Sequence, residues 1–162
     1  MKHTISVYFH NNFNALSRII GLFSGRGFDI DSVSFGEAKE KGMARMTITT
    51  HGDALIIEQI NSQLNKLVDV VKVTDLTNEP FVERELSLIK VKSTPETRSE
   101  ITEVVNVFRA KIIDISPGTL TVEVTGKKAK VNAAIGMLQP FGLIEVARTG
   151  TVALTREFKG MT

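Results

Sequence analysis

Three asparagines stand in the short stretch HNNFN, His10 to Asn14, directly in front of an apolar run with helical spacing. Asparagine at that place has two chemical uses. Its side-chain oxygen can accept a hydrogen bond from a first-turn amide and so cap the helix, a device that commonly contributes about 1 kcal/mol. Alternatively, the remaining free amides at the positive end of the helix dipole form a receptor for a small carboxylate, with asparagine side chains reading its polar atoms. The local sequence leaves both uses open and offers Asn12 or Asn14 as the cap.

Other reactive chemistry is sparse. His3, His10 and His51 fall at no metal-ligand spacing, so no metal site is expected. No nucleophile elbow, Walker loop or dinucleotide fingerprint occurs. The triplet Gly25, Arg26, Gly27 follows a helical pattern, which reads as a helix stop. Asp29, Asp31, Glu37 and Glu40 supply carboxylates, but no histidine or nucleophile recurs beside them to divide acid and base roles, so no catalytic residue is expected. The chain has no cysteine, which excludes disulfides and thiolate sites and fits a reducing compartment, with the cytoplasm as the expected location. The N-terminal MKHTISVYFHNN is too short and polar for a signal core, and no later run approaches a membrane span. With 20 basic and 18 acidic residues the net charge is only +2, too small an excess to demand a phosphate backbone as partner.

The elements that must position the asparagines follow from periodicity. Ile5, Val7 and Phe9 alternate with Ser6 and Tyr8, which predicts a half-buried strand. Leu16, Ile19, Ile20, Leu22 and Phe23 recur three or four apart and predict a helix ended by Gly25 or Gly27. A hairpin follows, DIDSVSFG and MARMTITT about EAKEKG, then a helix with Leu55, Ile56, Ile60, Leu64 and Leu67 on one face, and then the strand VVKVTDL. After TNEPF the order begins again: RELSLIKVKS, the helix TRSEITEVVNVFRAKI, two strands about Pro117 and Gly118, the helix KKAKVNAAIGMLQPFG and one strand, LIEVARTGTVAL.

Two βαββαβ modules result, an N-terminal one at 1–77, a linker at 78–83 and a C-terminal one at 84–162. The simplest α+β architecture for each is a ferredoxin-like sandwich, four antiparallel strands with both helices on one face. The other face and the edge strands stay open, so a dimer is expected. The same scaffold serves RNA binding when aromatic side chains line its central strands. MARMTITT and TLTVEVTG carry none, and Tyr8 alone is no platform, so nucleic acid is not expected. Met43 and Met46 read as packing residues, Arg148 as a surface or interface contact, the glutamates of VERE as solvated, and Lys127 to Lys130 as the solvated start of a helix.

The ordered blocks LSRIIGLFSGRGFDIDS, MTITTHGD, IEQINSQLNKLVDVVKV, VERELSLIKV, FRAKIIDISP, VEVTG and IEVARTGTVAL resemble the small regulatory subunits of acetolactate synthase (acetohydroxyacid synthase) over essentially the whole chain. The resemblance implies an N-terminal ACT domain followed by an ACT-like domain, in a homodimer without catalytic residues or cofactors of its own. It implies a large catalytic subunit as partner, carrying thiamine diphosphate, magnesium and FAD, and feedback control by valine or a related branched-chain amino acid. The effector of that family sits between two N-terminal domains, at the turn after strand one and the start of strand two. The family pattern there is Glu-Asn-x-x-Gly-x-Leu, with a later Asn-Ile pair.

By that resemblance the effector-binding residues are Asn11, Asn14, Ala15, Leu16, Asp29 and Ile30. This chain keeps Asn11, Leu16 and Ile30 and departs at His10, Asn14 and Asp29. Asn14 stands where glycine would let backbone approach a ligand. Asp29, when ionised, is acceptor-only where an amide would donate. A weakened or altered valine response is therefore expected. A free-standing ACT-type amino-acid sensor acting on another partner is the alternative.

Overall fold

The computed structural model describes residues 1–157. It divides into two compact units, Met1–Glu83 together with the segment that begins at Thr151, and Arg84–Gly150. Each is an antiparallel sheet with two helices in βαββαβ order.

The first unit contains β1 (Lys2–His10), α1 (Ala15–Arg26), β2 (Ser32–Glu37), β3 (Met43–His51), α2 (Ala54–Asn65) and β4 (Val70–Asp75). The strand order β2-β3-β1-β4 puts β1 in the centre, where Val7 faces Met46 on one side and Val73 on the other. Alternation sends Ile5, Val7 and Phe9 to the helical side, and there Ala15, Ile19 and Phe23 of α1 and Ile57, Ile60 and Leu64 of α2 close the core. Gly27 ends α1 with a left-handed φ of 68°, a conformation that costs glycine nothing. Asp53 starts α2 by accepting the Ile56 amide at 2.9 Å. That start rotates the apolar face of α2 onto Ile57, Ile60 and Leu64 and leaves Leu55 outside, 70% exposed, contrary to the periodic reading.

The opposite side of β1 is also covered, so the expectation of a half-buried strand is corrected. Thr4, Ser6 and Tyr8 on β1 and Thr47 and Thr49 on β3 are all buried. The cover is a strand that sequence reading merged into its predecessor. LIEVARTGTVAL breaks at Gly150, φ 75°, and its last part, Val152–Thr155, runs beside β1 and β3. Thr151 donates its amide to Ser32 Oγ at 3.4 Å and Ala153 donates its amide to Thr47 Oγ1 at 3.3 Å. The segment from Thr151 thus packs with the first unit rather than the second, and Phe81–Glu83 of the expected linker already belong to a strand. Residues 158–162, assigned to the second module by sequence, lie outside the described residues.

The second unit contains β5 (Phe81–Lys92, entering from the first unit), α3 (Arg98–Val107), β6 (Lys111–Ser116), β7 (Thr119–Gly126), α4 (Lys128–Gly142) and β8 (Leu143–Arg148), in strand order β6-β7-β5-β8. The covering strand Val152–Thr155 is β9, which also pairs with β5. Ile89 and Val91 meet Leu120, Val122 and Val124 under Ile101, Val105, Val131 and Leu138. Glu85 lies on the same side of β5 as Ile89 and is buried, not solvated as the sequence reading has it. Arg148 Nε donates to the Glu85 carboxylate and its Nη1 donates to Asn132 Oδ1 at 2.9 Å. No helix among the described residues is long and apolar enough to cross a membrane.

Candidate functional site

The turn from β1 into α1 is built on one side chain. Asn12 Oδ1 accepts the amides of Asn14 at 3.1 Å and Ala15 at 3.0 Å. The cap is therefore Asn12; Asn14 occupies the N-cap position but its side chain makes no capping bond. Replacing Asn12 by alanine is expected to cost about 1 kcal/mol of unfolding free energy, against less than about 0.5 kcal/mol for Asn14→Ala. Urea titration of the two variants, with a reversed order, would assign the cap to Asn14.

Asn12 is itself held by the turn that precedes β4. Its Nδ2 donates to Asp69 Oδ1, and Arg18 Nη1 donates to Asp69 Oδ2 at 2.6 Å. Asp69, in the turn before β4, also accepts the His10 amide on its backbone carbonyl at 2.8 Å. The Asn12 hydrogen bond, then the Arg18 guanidinium, hold the Asp69 carboxyl below the ordinary carboxylate value, although burial works against the charge. It is ionised at neutral pH. Neither Asp69 nor Arg18 was singled out from sequence.

The six residues expected at an effector site fall into two groups. Asn11, Asn14, Ala15 and Leu16 share the β1–α1 turn. Asn11 is exposed and donates its amide to Gly42 of the β2–β3 hairpin at 2.9 Å. Asn14 is exposed with φ −100° and ψ −12°, an ordinary right-handed conformation, so asparagine fits there without the strain that would demand glycine. Ala15 is fully buried in the core, and Leu16 packs on that core from its edge. Asp29 and Ile30 lie on the connection from Gly27 to β2. Thr50 Oγ1 of β3 donates to the Asp29 carbonyl, so it is the backbone of Asp29 that is anchored, and the residue itself is exposed. Ile30 packs against the core.

Among the described residues, no acceptor within the chain takes the amides of Leu16 and Ser17, because Asn12 serves the two amides before them and Arg18 bonds back to Asn14 at 3.0 Å. Beside them an open groove is lined by Phe13, Leu16, Ser17, Ile20, Gly21 and Ser24, with Phe13 98% exposed. Two amides without a partner at a helix start, next to a groove that mixes Phe13, Leu16 and Ile20 with Ser17 and Ser24, suit a small molecule that carries a carboxylate.

Among the described residues, Tyr8 does not form a base-stacking platform on the sheet face. Tyr8 is buried, donates its hydroxyl to Glu40 Oε2 at 2.6 Å, and lies under the Arg45 guanidinium, 5.5 Å from the ring centre. That bond raises the Tyr8 pKa and lowers that of Glu40. Among the described residues, no group of three His, Asp or Glu side chains is placed to hold a metal ion.

Comparison with known proteins matches residues 84–157 to the family described as small subunit of acetolactate synthase, and residues 5–72 to the AHAS small subunit-like ACT domain. The acetolactate synthase small subunit of Aquifex aeolicus is 50% identical over 158 residues, 96% of this chain and 82% of that protein. The probable acetolactate synthase small subunit of Archaeoglobus fulgidus is 47% identical over 156 residues, 96% of this chain and 98% of that protein. The crystal structure of the acetolactate synthase small subunit from Thermotoga maritima superposes with a TM-score of 0.90 at 42% identity, covering 97% of this chain and 98% of that one.

Proposed function

The chain belongs to the acetolactate synthase small-subunit family, and from that premise we propose that it regulates a large catalytic subunit, raising its activity and conferring control by a branched-chain amino acid. The supporting observation is the in-order match of both modules along nearly the whole chain. On this reading the thiamine diphosphate, magnesium and FAD reside in the catalytic partner. The small subunit works as a cytoplasmic homodimer, and its effector, valine or a relative, lodges at the β1–α1 turns where two N-terminal units meet. A ligand there controls the partner only through unequal affinity for two arrangements of the dimer.

The effector residues are Asn11, Asn14, Ala15, Leu16, Asp29 and Ile30. Ala15 is enclosed in the core with its amide taken by Asn12, so it supports the turn from behind, whereas Asn11, Asn14 and Asp29 are exposed. Mixing the purified chain with the large subunit of the same organism is expected to raise acetolactate formation above that of the large subunit alone. The chain by itself should form none. Unchanged activity together with separate elution of the two proteins would overturn the proposal and leave the reading of a free-standing amino-acid sensor.

A further inference from the structure

We infer that Asp69 and Arg18 are positioning residues of the effector loop: by fixing which end of the Asn12 side-chain amide faces α1, they set the first turn against which the effector binds. The inference rests on the effector reading given above.

The chemistry is that of an amide that can face two ways. Asn12 carries an oxygen that accepts and a nitrogen that donates, and only the oxygen serves the Asn14 and Ala15 amides. A flipped Asn12 would turn its NH2 onto those two N–H groups, donor against donor. The buried Asp69 carboxylate excludes the flip, since it accepts only and so demands the Asn12 nitrogen. Arg18, which donates only, occupies the second oxygen of Asp69 and sits in the first turn of α1, where its own amide bonds Asn14. The loop, the helix start and the turn before β4 are thereby joined through one carboxylate. Leu16 and Ser17 follow directly, so the direction of their outward amides is set by the same anchor.

The test compares Asp69→Asn, Arg18→Met and Arg18→Lys in the full-length chain, each also combined with Asn14→Gly and Asp29→Asn. Amide hydrogen exchange at Asn14 and Ala15 reads the anchor, and calorimetry with L-valine, L-leucine and L-isoleucine reads the site. Asp69→Asn lets residue 69 present an NH2 to Asn12 and permits the flip; exchange at both amides is expected to quicken about tenfold, and amino-acid affinity to fall about tenfold. Arg18→Met, which removes a half-exposed side chain and spares the core, should act in the same direction, and Arg18→Lys, which keeps a charged donor, should restore most of both. Unaltered exchange in Asp69→Asn overturns the inference while leaving the effector site in place. Quickened exchange with unchanged affinity also overturns it, reducing Asp69 to a structural role. No amino-acid binding in any background overturns the effector reading itself, and the inference with it.

Discussion

Alanine at position 148 is expected to lower the unfolding free energy by about 3–5 kcal/mol, the usual effect of removing one partner from a buried ion pair. Glu85 has a side chain only 3% exposed, and Arg148 brings it both charge and a hydrogen bond. Without the guanidinium the carboxylate is left unpaired on the core side of β5, the side that also carries Ser87, Ile89 and Val91. The pair itself need not be worth that much. Replacing both residues removes the orphaned charge, so Arg148→Ala with Glu85→Ala should be less destabilised than Arg148→Ala alone. Urea denaturation of the two single variants and the double variant measures this. A double variant as unstable as the sum of the singles would show that Glu85 gains nothing from Arg148. Asn132 makes the bond to Arg148 a three-way junction of β5, β8 and α4, so the loss should also loosen the turn that carries Thr149.

The second large effect concerns the amino-acid ligand. Restoring Asn14→Gly and Asp29→Asn together is expected to tighten valine binding by between about one and three decades, and Asp29→Asn alone should supply most of it. The reasoning is a comparison of terms. Two like charges ~4 Å apart repel by about 1 kcal/mol in bulk water and about 4 kcal/mol at an effective dielectric near 20. An exposed helix dipole returns roughly 0.3–1 kcal/mol. The Asp29 charge therefore outweighs the helix start where the bound ligand shields the pair from bulk water, and only matches it where water stays between them. Asn14, by contrast, already adopts an unstrained conformation, so glycine there gains only room. Calorimetry decides: micromolar valine binding by the wild-type chain would refute the weakened pocket, and no change on restoring both residues would place the ligand elsewhere.

Periodicity carried most of the architecture. Ile5, Val7 and Phe9 on the core side of β1, Ile19 and Phe23 on α1, and the stop at Gly27 stand where three-and-four and alternate spacing put them. The asparagine turn was legible as a choice between Asn12 and Asn14, and geometry selects Asn12. Asp69 was not legible, because it lies 57 residues from Asn12 and 51 from Arg18 and meets them only through the register of β1 against β4. Nothing local marks such a residue. Glu85 did carry a signal: it falls in the same alternation as Ile89 and Val91, and a charged residue on the core side of a strand asks for a partner such as Arg148. The separate final strand did carry a signal, the polar run Arg148-Thr149-Gly150-Thr151 between two apolar stretches, but threonines on both sides of Gly150 also suit a strand and hid the break there.

The hydroxyl-rich side of the first sheet has a consequence for biogenesis. Its lid, Val152–Thr155, leaves the ribosome after all the residues of the second unit, so the nascent first sheet must wait, with Thr4, Ser6, Thr47 and Thr49 wetted, until the second unit has been synthesised. Those side chains tolerate the delay because hydroxyls are at ease in water. A row of valines in their place would offer every newborn chain a sticky surface for its neighbours on the polysome.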